Sequence, residues 1–399
     1  MNKKKRIICI ILSALCFVII FTSCGNKPPQ EATTSGTIQN TLNKEISVIQ
    51  LDKEFVFDYE WYGDTSEIVI RSEYTDVILD KAMEKDYPLL AKALSETSVM
   101  RKRAMEEEMD NFIVMSTDDF ASNNGDCLTY VSTLDVQVRR ADSVAVSILE
   151  DYGTESFRSF NGLNYDSNSG KLLALSDVVT DIKNIPEAVE KELQNRIGQS
   201  ESDGETAIPD YFSNTDEDSI TWVIDYNGIT FYFEPGAVAP TNFGIQVVTV
   251  NFAQYPDLFN KKYTTVPDSY VVSLPESSTF FIDITGDKET EEIVVSSFFD
   301  DDTKPYHTIS LNSVSSDFKT AWFSLVDPYY VRTSDGKSYI CIYNLTKEED
   351  GMDSTLVVYG LENGEVKLIG VSETGLNYKG NNLFALPTNP DSIIKTVKN

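Results

Sequence analysis

Residues 220–234 read ITWVIDYNGITFYFE, and this stretch carries the strongest β-hairpin signal in the sequence. Residues 220–226 and 229–234 are rich in β-branched and aromatic side chains, and Asn227-Gly228 separates the two runs. An Asn-Gly pair suits a type I′ turn, because both central positions of that turn need a positive φ. The stretch therefore predicts two antiparallel strands joined by a tight turn.

Strands and helices mix irregularly on both sides of this hairpin. An amphipathic helix is predicted at residues 185–197, where Pro186 lies in the first turn and Gly198 follows the end. An earlier helical region starts at Asp86 and is predicted to break near Thr97-Ser98. The remaining predictions are strands at 54–62, 67–79, 128–138, 143–149, 156–166, 171–175 and 244–252, a helix at 99–115, a loop at 201–219 and a short helical turn at 255–260. Together they predict an α+β domain at residues 47–262, an antiparallel sheet with packed helices.

Beyond about residue 265 the pattern changes to short strands separated by turns, with no convincing helix. Strands are predicted at 270–274, 280–284, 292–299, 307–311, 329–332, 338–343, 355–360 and 366–371. Such spacing is typical of an all-β unit. We therefore predict a separate all-β domain at residues 265–399, with the boundary between about residues 260 and 278.

The amino-terminal residues have the composition of an export signal. Basic residues 3–6 precede an apolar run at 7–21, which is shorter than the ~20 residues of a membrane-spanning helix. Thr22-Ser23-Cys24 resembles the lipobox of bacterial lipoproteins, which implies a signal peptide at 1–23 and acylation of Cys24. The alternative is an uncleaved amino-terminal anchor. Either interpretation places the rest of the chain at the outer face of the cytoplasmic membrane.

Residues 24–46 are predicted to form a disordered tether, since 25–43 are mostly Pro, Gln, Thr, Ser, Gly and Asn. The remaining chain is strongly acidic. Without residues 1–23 it keeps 29 of its 33 basic residues against 63 acidic ones, a formal charge of −34. Such a surface repels nucleic acid and favours cationic partners or divalent metal ions. The simpler alternative is that the charge provides solubility. Cys127 and Cys341 are predicted to be two free thiols or one long-range disulfide.

Residues 47–262 contain a series of short motifs in a fixed order. They are Tyr87-Pro88-Leu89, Arg140-Ala141-Asp142-Ser143, Asp151-Tyr152-Gly153, Asn164-Tyr165-Asp166, Ser169-Gly170-Lys171, Leu175-Ser176-Asp177-Val178-Val179, residues 226–233 and Ala237-Val238-Ala239-Pro240. In this order they resemble the extracellular domain of RsiV-type anti-sigma factors. The same domain occurs beside the catalytic part of some peptidoglycan deacetylases and in Gram-positive lipoproteins. In the anti-sigma factors it binds lysozyme, so the resemblance implies a cationic wall-acting partner.

The chain departs from this family directly after Tyr152-Gly153. The family continues there with Gly-Ala-His, whereas Thr154 and the segment Glu155, Ser156, Phe157 and Arg158 follow here. These last four residues are therefore our candidates for contacts with a partner protein.

Catalytic and metal motifs are sparse. A Ser-His-Asp or Cys-His catalytic site would have to use the single histidine, His307. No G-x-S-x-G motif precedes it. A glycosidase-like site built on two carboxylates remains an alternative, because acidic residues are abundant. Residues 283–292 form an acidic turn in which Asp283, Asp287 and Glu291 have the oxygen ligands that Ca²⁺ prefers. The alternative for this turn is a solvated acidic hairpin without metal.

These observations favour a non-catalytic cell-surface lipoprotein that binds a cell-envelope ligand, a wall fragment or a cationic wall-acting protein. No cofactor is expected apart from calcium. The first alternative is a wall-active hydrolase that uses carboxylates. A solute-capturing lipoprotein of a transporter is a further alternative, although the alternating βαβ pattern of such proteins is missing from the sequence.

Overall fold

The computed structural model describes most of the chain after residue 43. The described residues are 44, 46–60, 67–122, 128–154, 157–197, 207–274, 276–277, 279–299, 305–321, 323, 325–348, 351–362, 364–372, 383–385 and 390–397. The signal peptide, Cys24, nearly all of the tether, Cys127, Glu155 and Ser156 lie outside them. Residues 43–399 form one compact unit.

Strands dominate the described residues. In chain order the strands are β1 Val48–Glu60, β2 Glu67–Leu79, β3 Leu128–Ala141, β4 Ala145–Thr154, β5 Phe157–Asp166, β6 Trp222–Ile224, β7 Gly228–Phe233, β8 Gln246–Asn251, β9 Tyr270–Ser273, β10 Thr279–Ile282, β11 Glu291–Phe299, β12 Pro305–Leu311, β13 Val314–Lys319, β14 Leu325–Arg332, β15 Ser338–Glu348, β16 Gly351–Glu362, β17 Glu365–Ser372 and β18 Leu383–Ala385. The helices are α1 Pro88–Ser122, α2 Leu175–Val178, α3 Ile185–Ile197, α4 Ile208–Asn214 and α5 Pro390–Val397.

The first sheet has six strands in the order β18-β1-β2-β3-β4-β5. Its neighbouring strands are antiparallel except β2 and β3, which are parallel because the long helix α1 connects them. Along β2 the buried residues alternate, and Ile70, Ser72 and Tyr74 share one face. This region confirms the predicted α+β fold.

Helix α1 is continuous, so the predicted break at Thr97-Ser98 is wrong. Both hydroxyls bond to the sheet instead of competing with the helix backbone. Thr97 Oγ1 lies 2.6 Å from the hydroxyl of Tyr165, and Ser98 donates to Asp76. The helix also inserts Arg101, whose guanidinium bonds Asp76 at 2.6 Å and Glu150 at 2.6 and 2.9 Å.

The predicted hairpin forms a second sheet, in the order β6-β7-β8 and entirely antiparallel. Helix α3 has the predicted bounds and packs on it together with α4. Helix α4 lies inside the predicted 201–219 loop, where Ile208 is fully buried and Phe212 packs against Phe231. Burial of these apolar side chains stabilises a helix in a segment whose polar composition predicted a loop.

Two further predictions for this region are wrong. Residues 171–175 make a single bridge between Leu172 and Tyr165 and then enter α2, because Asp177 accepts the backbone N–H of Ala174. Residues 255–260 form turns and no helix.

The carboxyl-terminal region contains two antiparallel sheets, in the orders β10-β11-β12-β13 and β17-β16-β15-β14-β9. The sequence predicted this all-β character but missed three elements, β13, β18 and α5. Strand β18 does not join either of these sheets. It pairs with β1 of the first sheet, in the register Ile49 with Ala385.

Hydrophobic cores connect these regions. One core joins Val48 and Val77 of the first sheet to Tyr329, Cys341 and Val358 of the five-stranded sheet. Independent folding of residues 47–262 and 265–399 stays a prediction. Within the described residues, no helix has both the length and the apolar surface needed to cross a membrane.

Candidate binding site

A cavity of about 460 Å³ lies where the β6–β7 connection and the end of β8 meet the carboxyl-terminal sheets. Its wall is made by residues from the second sheet, the segment 264–268, the β10–β11 turn and the β14–β15 turn. Those with polar side chains include Asn227, Asn251, Asp268, Asp283 and Arg332. The cavity is within the ~300–1,000 Å³ usual for small-molecule sites.

The β6–β7 connection differs from the predicted type I′ turn. Ile224 pairs with Ile229, and the N–H of Asp225 donates to the carbonyl oxygen of Gly228 at 2.9 Å, so Tyr226 and Asn227 form the turn, one residue earlier than predicted. Neither Asn227 nor Gly228 has a positive φ. Gly228 is needed for a close approach, since a Cβ there would lie 2.4 Å from the carbonyl oxygen of Val250.

Arg139 anchors this loop from β3. Its guanidinium donates to the carboxylate of Asp225 at 2.9 and 3.2 Å and to the hydroxyl of Tyr232 at 2.9 Å. It also lies 4.6 Å from the ring centre of Phe280, in the carboxyl-terminal region. Burial opposes the charge on Arg139, but the neighbouring Asp225 raises the pKa of the guanidinium above its ordinary value. The loop is therefore held by a buried ion pair.

Two stacked tyrosines join the loop to the five-stranded sheet. The rings of Tyr226 and Tyr270 lie 4.1 Å apart with an angle of 22° between their planes. The hydroxyl of Tyr226 accepts the backbone N–H of Ala141 at 3.0 Å. Burial raises the pKa of Tyr270 well above its ordinary value. Both tyrosines line the cavity beside Asn227 and Asn251.

Two asparagine amides in the cavity wall have an atom without a hydrogen-bond partner. Asn227 Oδ1 and Asn251 Nδ2 are both buried and unpaired among the described residues. Asn251 Oδ1 accepts the backbone N–H of Ala253 at 2.7 Å, which fixes the orientation of that amide. Leaving a buried polar group unpaired costs ~1–3 kcal/mol. Five other buried side-chain atoms of the described residues, all outside the cavity wall, are unpaired in the same way.

The charged groups of the cavity differ in how they are bonded. Arg332 makes no ion pair within the described part of the chain, and its Nη1 donates to Ile284 O at 3.3 Å and to Ser338 Oγ at 3.1 Å. Both carboxylate oxygens of Asp283 already accept backbone N–H groups, from Gly286 at 2.6 Å and Lys288 at 3.0 Å. Arg332 thus retains donor capacity toward a ligand, whereas Asp283 is committed to its own turn.

The predicted calcium ligands lie in this same β10–β11 turn but do not converge. Glu291 accepts the N–H of Ile284 at 2.7 Å, and Asp287 accepts that of Glu289 at 2.9 Å. No group of three metal-ligating side chains occurs among the residues that the structure describes. Asp283, Asp287 and Glu291 therefore do not fit a calcium site in this arrangement. Calcium binding stays a prediction, tested by melting curves in CaCl₂ and in chelator.

Of the predicted partner-binding residues, the structure describes Phe157 and Arg158, which begin the edge strand β5. Phe157 is 51% exposed and its ring centre lies 6.3 Å from that of Tyr152. Arg158 pairs with Asp151 at 2.5 and 2.9 Å and lies 5.1 Å from the ring centre of Phe160. Of the two, Phe157 is free to contact a partner.

Two further reactive side chains of the described residues, His307 and Cys341, are buried. His307 lies inside the carboxyl-terminal region, with Nδ1 2.9 Å from Ser297 Oγ and the ring stacked on Phe323 at 5.6 Å. Burial lowers its pKa to about 4. Cys341 is a free buried thiol, and burial raises its pKa.

The sequence analysis missed the cavity as a site. The Asn227-Gly228 motif is the one local signal that points to it, and that motif was interpreted as a turn alone. Asn251, Asp268 and Arg332 come from distant segments with no shared pattern, so only the tertiary structure brings them together.

Comparisons with known proteins identify the class of domain that holds one side of this cavity. Residues 175–253 match a family described as a protein of unknown function, DUF3298. The match spans α2 to β8 and includes Asn227 and Asn251. The chain thus contains a DUF3298 domain at residues 175–253.

Two solved structures of this family are similar to the chain. One is a DUF3298 family member from Bacteroides fragilis, with a TM-score of 0.42, 14% identity and coverage of 54% of this chain and 95% of that chain. The other is a DUF3298 family protein from Pseudomonas aeruginosa, with a TM-score of 0.37, 13% identity and coverage of 55% and 97%. No curated protein matches the chain.

Proposed function

We propose that the protein is a non-catalytic binding protein of the cell surface that takes a cell-envelope ligand in the cavity. The observation that carries this proposal is a cavity of about 460 Å³ whose wall combines polar side chains, among them Asn227, Asp268 and Arg332, with an apolar surface. Concave sites with a few convergent polar groups are typical of ligand binding.

The proposed location follows from the sequence. Residues 1–23 resemble a lipoprotein signal and Cys24 would carry the lipid, which would hold the protein at the outer face of the cytoplasmic membrane. Two or more acyl chains anchor a protein stably where one binds only marginally. A Cys24→Ala chain should lose acyl label, and retention of that label would refute the lipid site.

A carboxylate-dependent hydrolase is the alternative for the same cavity, since Asp268 and Asp283 line it. Both oxygens of Asp283 accept backbone N–H groups, however, so this carboxylate is held in the turn. Glycosidases need two carboxyl groups that reach the scissile bond from opposite sides. The geometry therefore favours binding over hydrolysis. Release of reducing ends from cell-wall glycan by the protein, lost in Asp268→Asn, would reverse this conclusion.

The binding proposal is tested by capture of wall fragments on the full chain purified in detergent. Asn227→Ala should reduce capture at least tenfold, because it removes a polar side chain from the cavity wall. Asn168→Ala is the matched control, since Asn168 is an exposed asparagine in the turn after β5. Equal capture by the wild-type chain and the Asn227 variant would refute the cavity as the binding site.

A second candidate function is binding of a cationic wall-acting protein at the start of β5. Phe157 is the observation that favours it, because this large aromatic side chain is half exposed in an otherwise acidic molecule. Aromatic side chains often dominate the binding energy of protein interfaces. The resemblance to RsiV-type domains supports lysozyme as the first partner to test.

A further inference from the structure

Arg332 is the one basic side chain among the described residues that line the cavity. Its Nη1 donates to the carbonyl oxygen of Ile284 in the β10–β11 turn at 3.3 Å. Its Nη2 lies beside Gly336 in the β14–β15 turn, 3.8 Å from the position that a Cβ would take there. Asp283 and Gly286 of the first turn and Gly336 of the second all line the cavity. The guanidinium therefore lies at the cavity wall, where the two turns approach each other.

One edge of this guanidinium is unused. The hydrogen bonds of Arg332 to described residues come from Nη1, which also donates to Ser338 Oγ at 3.1 Å. Arg332 is half-buried, and its Nε and Nη2 are not among the buried unpaired side-chain atoms of the described residues. Both nitrogens are therefore accessible to a ligand. Nε–H and one Nη2–H point in the same direction, so together they match two oxygens of a carboxylate or a phosphate.

The charges around Arg332 favour a carboxylate over a phosphate polymer. Asp268 and Asp283 line the same cavity, and the chain after residue 23 has a formal charge of −34. A phosphate polymer would bring many negative charges to this surface and would be repelled. A single carboxylate brings one charge, which the guanidinium neutralises.

The cavity also has an apolar surface for the group that carries the carboxylate. Phe252, Val266 and Pro267 belong to its wall and can contact a small apolar side chain. The carboxyl-terminal end of a peptide combines such a side chain with a single carboxylate. The cavity volume of about 460 Å³ is within the ~300–1,000 Å³ usual for small-molecule sites.

We propose that the cavity binds the carboxyl-terminal end of a short peptide, with the carboxylate bonded to Nε and Nη2 of Arg332. This inference rests on the proposed function and adds the chemical class of the ligand. Peptide ends and polymer phosphates are both anions of the cell envelope, so the test includes both.

The first test compares three probes by calorimetric titration of the full chain in detergent. N-Acetyl-D-alanyl-D-alanine has a free carboxylate, its carboxamide has the same shape without the charge, and glycerol 3-phosphate represents phosphate. The free acid should bind at least tenfold more tightly than the carboxamide. Equal affinity of acid and carboxamide, or binding of neither, would overturn the carboxylate. Tighter binding of glycerol 3-phosphate than of the acid would overturn the peptide.

The second test uses substitutions in and after β14. Arg332→Gln should abolish the preference for the free acid, because it removes the cation. Lys337→Gln removes the same charge close by and is the matched control, since Lys337 is exposed and pairs with Asp335 at 3.0 Å. This variant should keep the tenfold preference. A preference that survives in Arg332→Gln would overturn the assignment to Arg332.

Arg332→Lys separates charge from geometry. It keeps the cation but loses the two parallel N–H groups, so binding of N-acetyl-D-alanyl-D-alanine should weaken at least fivefold. Equal binding by Arg332→Lys and the wild type would overturn the bidentate contact. If the Arg332 variants do not fold, the comparison of acid and carboxamide on the wild-type chain still decides the proposal.

Failure of this inference can be distinguished from failure of the proposed function. Capture of wall fragments that depends on Asn227, without binding of N-acetyl-D-alanyl-D-alanine, overturns only the peptide end as ligand. Absence of both overturns the cavity as a ligand site.

Discussion

At the scale of single residues, buried charges connect parts of the chain that are far apart in sequence. Arg139 pairs with Asp225 and contacts Phe280, and both Arg139 and Asp225 are 1% exposed. Removing one member of such a pair leaves the other charge buried and uncompensated. Arg139 therefore stabilises the loop that carries Asn227.

We expect Arg139→Met to lower the free energy of unfolding by ~3–5 kcal/mol, measured by urea denaturation, because Asp225 loses its cation. The control is Arg103→Met, since Arg103 is exposed on α1 and pairs with the exposed Glu107 at 2.9 Å. That change should cost less than ~0.5 kcal/mol. Adding Asp225→Asn to Arg139→Met should recover part of the loss, and a double variant no more stable than the single one would contradict this account.

The burial of His307 should make the free energy of unfolding depend on pH. Burial lowers its pKa to about 4, whereas an unfolded histidine has an ordinary value of 6.5. The unfolded chain therefore takes up this proton first as the pH falls. The resulting stability is fully present above pH 6.5 and is lost as the pH falls toward 4.

Between about pH 7 and pH 4, the wild type should lose ~3 kcal/mol more of its unfolding free energy than His307→Phe does. His307 is the only histidine in the sequence, and both proteins have the same carboxylates. The difference between them therefore reports on His307. Urea unfolding at several pH values measures it. Parallel stability curves for the two proteins would show that His307 is not responsible.

At the scale of elements, the sequence predicted strands well and boundaries less well. Alternating apolar residues and Asn-Gly or Gly-containing turns identified β2, β5, β7 and most of the carboxyl-terminal strands. It missed β13 because Val314 to Lys319 bury almost no apolar side chain. It also placed a break in α1, since the bonds of Thr97 and Ser98 to distant residues are invisible locally.

Close packing between strands β5 and β6 gives a sharp test of this arrangement. A Cβ added at Gly162 would lie 2.0 Å from the carbonyl oxygen of Trp222, which is backbone and cannot rotate away. Gly162→Ala should therefore destabilise the protein by ~1–3 kcal/mol in denaturant unfolding.

Gly153→Ala on the adjacent strand β4 is the matched control for this prediction. A Cβ there would lie 3.3 Å from Thr133 Oγ1, the end of a side chain that can shift. Its effect should stay within ~0.5 kcal/mol. Equal effects of the two substitutions would mean that β6 moves away from β5 without cost.

At the scale of the whole molecule, the cavity depends on contacts that no local pattern encodes. Asn227 and Asn251 come from the DUF3298 domain, whereas Asp268 and Arg332 come from outside it. The predicted boundary near residues 260–278 contains Tyr270, which stacks on Tyr226 of the DUF3298 domain. A sequence analysis that separates two domains at this point therefore divides the site between them.

Net charge is the other property of the whole molecule that leads to a prediction. With −34 formal charges after residue 23, the protein should attract cationic proteins such as lysozyme over long distances. The screening length falls from ~10 Å at 0.1 M salt to ~3 Å at 1 M, so the association rate should fall steeply with salt. Surface plasmon resonance at several salt concentrations measures this rate.

A specific complex should differ from simple charge attraction in its dissociation. Phe157→Ser should raise the dissociation rate of lysozyme severalfold, because it removes an aromatic side chain that is 51% exposed. Leu172→Ser is the matched control, since Leu172 is 48% exposed outside the candidate segment. Cytochrome c, a basic protein with no wall activity, provides the reference for nonspecific attraction. If lysozyme binds no better than cytochrome c, charge alone accounts for the interaction and the partner suggested by the RsiV resemblance is wrong.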